Sequence, residues 1–220
     1  MPEEKKVTLM GRRAGELLAG LSGIVDDLWG ETPSPQARQP QQPAAAQQPE
    51  FPPFTQLWKV ADETIDWTDA LAHEKPTDSL TDPAQWALYH QYAAQVLAGD
   101  TDAYLAVVEA LQPLGDLTAY ADSFSVAAPS SGTLAASFQV LPRYMDKPDD
   151  EPRRYMAGMA VRVARDLFAL LPVNQVQVAV LQGEKTLLSV NFEKSEMMKV
   201  RFAFIDPIAF TLQCGGEFIT

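Results

Sequence analysis

Residues 150–192 constrain this chain more than any other stretch. They open on an acidic, proline-marked start, Asp149-Asp150-Glu151-Pro152, and run on through residues 153–171 with apolar side chains at helical spacing until Pro172. Met156, Met159, Ala160, Val163, Leu167, Leu170 and Leu171 fall on one stripe. Arg154, Arg162, Arg165 and Asp166 fall on the other side, which reads as a solvated face, with Gly158 between; its arginines could bind an acidic partner or hold the acidic helices of residues 54–112, and charge balance favours the internal hold. The period then changes to two. Residues 175–181 and 186–192 alternate apolar and polar and are joined by Gln182-Gly183-Glu184-Lys185, a hairpin pattern. A helix that feeds a hairpin can bury its stripe on one face of the sheet, so the second half of the chain is expected to be built around this pair.

A second hairpin precedes the helix. Residues 123–127 and 133–141 carry Phe124 and Val126, then Phe138 and Val140, in phase, and Pro129-Ser130-Ser131-Gly132 between them is a turn cluster. The expected fold is α+β: N-terminal acidic helices followed by a four-stranded antiparallel sheet of two hairpins, packed by one central helix.

The acidic helices occupy residues 54–112. Residues 54–72 read as one helix, with Phe54, Leu57, Trp58, Ala61, Ile65 and Ala72 on a shared face. Asp62, Asp66, Asp69 and His73 flank it at steps of four, three and four. Carboxylates and an imidazole so aligned could serve a metal-binding regulatory domain. The plainer reading is a solvated acidic face, because metal sites draw ligands from several elements. Asp82-Pro83 is a helix start, and Gly99-Asp100-Thr101 closes that helix and caps the next, which runs to Pro113. His90 lies among Trp86, Tyr89 and Tyr92 and reads as a packed or half-exposed residue, with no nucleophile or orienting carboxylate identifiable beside it. A short helix over residues 195–200 and a further turn capped by Asp206-Pro207 complete the pattern.

Charge narrows the function classes. The net charge is −12, and residues 50–120 hold twelve acidic residues against two basic ones, Lys59 and Lys75. Phosphate backbones and anionic membranes need clustered cations, so both are poor partners for this chain. One cysteine, Cys214, allows no internal disulfide and no Cys-rich zinc site. No apolar run is long enough for a bilayer span, and the first residues lack the basic-then-apolar order of a signal peptide, so a cytoplasmic location is expected. The sequence carries no phosphate-cradling glycine loop, dinucleotide fingerprint, nucleophile elbow or His-Glu-x-x-His motif. It implies no cofactor and no metal.

Ahead of the folded region, residues 12–29 carry Ala14, Leu17, Leu18, Leu21, Ile24, Val25 and Leu28 at three- and four-residue steps. Gly15, Gly20 and Gly23 weaken such a helix by roughly 1 kcal/mol each, so it needs a partner surface. That surface is its own domain, a second copy or another protein, and Leu17, Leu18, Leu21, Ile24, Val25 and Leu28 are the candidate partner-binding residues. Residues 31–53 are rich in proline and glutamine and read as a flexible linker.

Leu-Phe-Ala-Leu-Leu-Pro-Val-Asn-Gln-Val-Gln-Val (167–178), Leu-Leu-Ser-Val-Asn-Phe (187–192), Phe-Ile-Asp-Pro (204–207) and, upstream, Leu-Thr-Ala-Tyr-Ala-Asp-Ser-Phe-Ser-Val (117–126) occur in that chain order. Together they resemble the C-terminal region of a group of uncharacterised bacterial proteins known by a domain of unknown function, over residues 80–210. Many members of that group begin with a small basic, glycine-rich β module. This chain has the helix and the Pro/Gln linker in its place, so a role tied to that module does not transfer. The resemblance implies no activity, and the shared residues are apolar ones that build a core.

The expected organisation is therefore a short amphipathic helix in residues 1–30, a linker in 31–53 and an α+β domain in 54–220. The function that fits it is a non-enzymatic protein–protein interaction or adaptor module, whose partner is another protein or a second copy of itself. The alternatives are a small-ligand or metal-binding regulatory domain, and an enzyme that uses carboxylates without a recognisable motif.

Overall fold

Four aspartates set where the helices begin. In the computed structural model, which describes residues 5–10, 54–77, 81–148 and 150–219, strand β1 (Lys6–Met10) comes first. A 3-10 turn, Phe54–Lys59, and an irregular segment over residues 60–66 lead to helix α1 (Trp67–Ala72). Helices α2 (Pro83–Leu97) and α3 (Thr101–Leu111) follow. Next come strands β2 (Ala121–Ser130) and β3 (Thr133–Val140), the short helix α4 (Pro142–Met145) and the long helix α5 (Glu151–Leu170). Strands β4 (Gln175–Gln182) and β5 (Lys185–Glu193), helices α6 (Lys194–Met197) and α7 (Pro207–Gln213) and strand β6 (Glu217–Phe218) complete the chain. The side chains of Asp66, Asp82, Asp100 and Asp206 accept from backbone N–H groups in the first turns of α1, α2, α3 and α7. Each such cap stabilises its helix by about 1 kcal/mol.

The strands form one six-stranded sheet in the order β1-β2-β3-β4-β5-β6. Both hairpins expected from the sequence are present, and Gly183 closes the second with φ +60, a left-handed conformation that glycine adopts without strain. The sheet itself departs from the expected four antiparallel strands in two ways. It gains β1 and β6 at its edges, and its central pair, β3 and β4, is parallel. The parallel pairing follows from the connection. Helix α5, about 30 Å long at 1.5 Å per residue, carries the chain back along β3, so β4 starts from the same end.

Residues 1–30 are also corrected at their start, where Lys6–Met10 is an edge strand of the sheet rather than part of a helix. Alternation alone could not reveal it, because five residues ending before a glycine give too short a pattern. The helix read over 12–29 and the linker over 31–53 lie outside the described residues.

Phe124, Val126, Leu134, Phe138, Val178, Val190 and Phe192 point from the sheet into one buried core with the α5 stripe. The other side of α5 is covered as well. Trp58 packs on it so closely that a Cβ at Gly158 would stand 2.8 Å from Trp58 Cε3. The ring of Phe210 in α7 stacks on Phe192 at 6.1 Å. The solvated face expected for α5 is therefore corrected, Arg162 being 3% exposed and Asp166 0%; the expected hold of its arginines on residues 54–112 is present, Arg162 meeting Asp62 and Arg165 Nη1 donating to the carbonyls of Trp58 and Val60. The single helix expected over residues 54–72 is likewise broken. Between its two ends the backbone bonds to α5 instead of to itself, Ile65 N–H donating to Ala169 O at 3.0 Å and Asp62 N–H to Asp166 Oδ1 at 3.0 Å. Trp67 Nε1 donates to Leu170 O at 2.7 Å and anchors the new helix start.

Candidate functional site

The break in residues 60–66 opens a cleft. That segment, the start of α2, the end of α3 and the C-terminal half of α5 enclose about 710 Å³. Asp62, Glu63, Asp66, Asp69 and Asp82 line it, with Asp166 beneath. Trp86, Tyr89, Leu111 and Leu170 supply apolar wall. The rings of Trp67, Tyr89 and Trp86 meet edge to face, 5.7 Å and 6.3 Å apart, which fixes the aromatic side of the cleft.

Below the cleft lies a buried charge cluster. Arg162 Nε donates to Asp166 Oδ2 at 2.5 Å, one helical turn away. Its Nη2 reaches Asp116 Oδ2 at 3.1 Å and Asp62 Oδ1 at 3.5 Å. A buried guanidinium needs such partners, because taking an unpaired charge out of water costs several kcal/mol. Burial works against the Arg162 charge, but the carboxylates of Asp166, Asp116 and Asp62 together outweigh it and hold the group protonated. Burial dominates at Asp166 and pushes its carboxyl up to about 7, against the pull of Arg162. Burial also raises Asp62, with Arg162 opposing and Asp116 adding. Tyr89 is raised by burial and by the Asp62 charge.

Most of these carboxylates already have structural work. Asp66 and Asp82 cap helices. Asp69 pairs with His73 at 2.8 Å and accepts from Thr77 Oγ1 at 2.9 Å. Asp166 has one oxygen on Arg162 and the other on the Asp62 N–H, and no exposure. Glu63 is exposed with no hydrogen bond or ion pair among the described residues, and Asp62 is half exposed with one oxygen toward Arg162 at 3.5 Å, so these two can still meet a ligand. With Asp166 closed off, Asp62 has no second free carboxyl of shifted pKa beside it. The arrangement suits holding a cation better than passing a proton between two carboxyls.

The metal stripe considered as the alternative for Asp62, Asp66, Asp69 and His73 does not assemble. Asp62 turns to Arg162, Asp66 caps α1, and Asp69 and His73 hold each other. Among the described residues no group of three or more His, Cys, Asp or Glu side chains is placed to hold a metal ion. His90 is half-buried, with Nδ1 2.7 Å from Ala70 O. Leu17, Leu18, Leu21, Ile24, Val25 and Leu28 lie outside the described residues. The cluster of Arg162, Asp166 and Asp116 was not read from the sequence as a site. Its signal was present: Tyr155 to Val161 is apolar or small all round, the mark of a helix covered on every side.

No protein-family model matches the chain, and neither a curated protein nor a solved structure matches it. Among the described residues no helix is long and apolar enough to cross a membrane.

Proposed function

We propose that this chain is a non-enzymatic interaction module, and that its cleft takes a lysine- or arginine-bearing segment of another protein. The observation that carries this reading is one cleft that holds an unpaired exposed carboxylate, Glu63, and the half-exposed Asp62, of which Arg162 takes one oxygen, beside the aromatic wall of Trp86 and Tyr89. A cationic side chain gains there from charge and from the ring faces together. The excess acid of residues 50–120 steers a basic partner toward the same side of the chain. Arg162 does not cancel this field, since three carboxylates already surround it. Leu17, Leu18, Leu21, Ile24, Val25 and Leu28 are a second, sequence-derived contact for the same partner. The likeness to uncharacterised bacterial proteins over residues 80–210 belongs to this proposal and brings no activity to it.

Calorimetric titration of the full chain with a short lysine- and arginine-containing peptide tests the reading. Binding is expected to weaken as salt rises from about 0.05 M to about 0.5 M, as the Debye length shrinks. The double variant Asp62→Asn/Glu63→Gln is expected to lose it. Equal heats for a basic and an acidic peptide would sink the proposal.

A further inference from the structure

Helix α5 and its neighbours cover one face of the sheet. Across the other face a row of paired residues runs through all six strands: Thr8, Ser125, Ser137, Ala179, Ser189 and Glu217. Thr8 and Ser189 are exposed, and Ser125, Ser137 and Ala179 are half-buried. Strands β3 and β4 carry no charged residue at all. On β2 and β5 the only charges are Asp122, Lys185 and Glu193, at the strand ends. A sheet face that stays in water normally carries charges, which keep it from meeting another sheet. This face lacks them in a chain that is 21% charged, so their placement at the margins marks a surface that another body covers.

We infer that this face is the interface of a homodimer. A second copy is the occupant that the chemistry fits. A neutral patch lets two chains of charge −12 meet without opposing like charges. A twofold axis along the strands sets β1 of one copy over β6 of the other. At about 4.8 Å between strands and about 3.3 Å per residue, six strands with central strands of eight residues present roughly 600 Å² per copy. Two copies then bury roughly 1,200 Å², the lower end of the range for specific interfaces. Ser137 and Ala179 sit at the middle of the row, where each copy faces its own mate. The inference is independent of the cleft, and either stands if the other fails.

Sedimentation of the full chain at concentrations up to about 100 μM, where an interface of this size pairs, reads the outcome. A dimer is expected that strengthens with added salt, because salt screens the mutual repulsion of two acidic chains. Basic-peptide binding in the cleft responds to salt in the opposite sense. Ser137→Lys alone and Ser137→Glu alone are each expected to weaken the dimer at least tenfold, and an equal mixture of the two to restore it. Ser189→Lys, at an exposed position in the same row, gives the same reading if either variant fails to fold. A dimer unchanged by these substitutions would overturn the inference. So would a monomer, whether a Ser189→Cys thiol, read against the chain's own Cys214, is shielded by the same chain or open to solvent.

Discussion

Asp166 Oδ2 lies 2.5 Å from Arg162 Nε, one turn away on α5, and both side chains are buried. The pair locks the helix to the irregular segment above it, since Asp166 also accepts from the Asp62 N–H. Removing one partner leaves the other buried without it: Arg162 as an unpaired charge, Asp166 as a carboxyl that takes up a proton and loses its acceptor role. Arg162→Met is expected to lose about 3–5 kcal/mol, and the double variant Arg162→Met/Asp166→Leu to recover most of that, because an apolar pair of similar size needs no compensation. Urea unfolding of the three proteins decides it. A double variant as unstable as Arg162→Met alone would contradict the account.

The same carboxyl gives stability a pH dependence. Asp166 ionises near pH 4 in the unfolded chain and at about 7 in the folded one. Its contribution is therefore fully present below pH 4 and is lost as pH rises toward 7, since the folded chain holds the proton that the unfolded chain has released. Asp62 is raised too and acts in the same sense. Asp206 has the opposite sign. The backbone N–H of Ala209 leads in lowering it, so its contribution is lost only as pH falls below the usual carboxylate range. Unfolding free energies between pH 4.5 and 8 should fall for the wild-type chain and be flatter for Asp166→Asn. Parallel curves for the two would remove Asp166 as the cause.

Gly158 is where Trp58 meets α5. A methyl there would stand 2.8 Å from Trp58 Cε3 and 3.2 Å from Cζ3, inside contact distance. The alanine gain in helix propensity, about 1 kcal/mol, is smaller than the cost of displacing a buried indole, about 1–3 kcal/mol. Gly158→Ala should lower the melting temperature. A rise would mean that the Phe54–Lys59 turn yields freely.

Strand β1 rests on Leu9, which is 8% exposed against Phe124, rather than on its ion pair. Lys5 Nζ and Asp102 Oδ2 are 2.6 Å apart but 71% and 63% exposed, so that contact contributes little. Leu9→Ala should destabilise by about 2 kcal/mol, the low end for a buried leucine. Lys5→Ala should be close to neutral in the same denaturation experiment, and the reverse ranking would contradict this view of the strand.

The sequence reveals this fold where one residue type has one physical use. Asp before Pro at 82 and 206, and Gly-Asp-Thr at 99–101, mark helix starts because a carboxylate is needed where N–H groups are unpaired. Period two shows both hairpins for the same reason. Pairing between hairpins is another matter. Nothing in β3 or β4 states that they run parallel, because the length of α5 decides that. The charges of α5 misled for a related reason. Arg162 and Asp166 belong to a solvated face by spacing alone, and only the backbone of residues 60–66, which bonds to α5 instead of continuing as helix, buries them. Asp62, Asp66 and Asp69 share a stripe only on a continuous helix, so the cleft appears where that stripe was expected.

A residue-by-residue nuclear magnetic resonance titration of the full, isotope-labelled chain with a lysine- and arginine-containing peptide decides whether the cleft takes a basic segment. Shifts are expected at Asp62, Glu63, Gln85, Trp86 and Tyr89, reduced in Asp62→Asn/Glu63→Gln. Shifts confined to other surfaces, or none at peptide concentrations that saturate the calorimetric signal, would contradict that expectation.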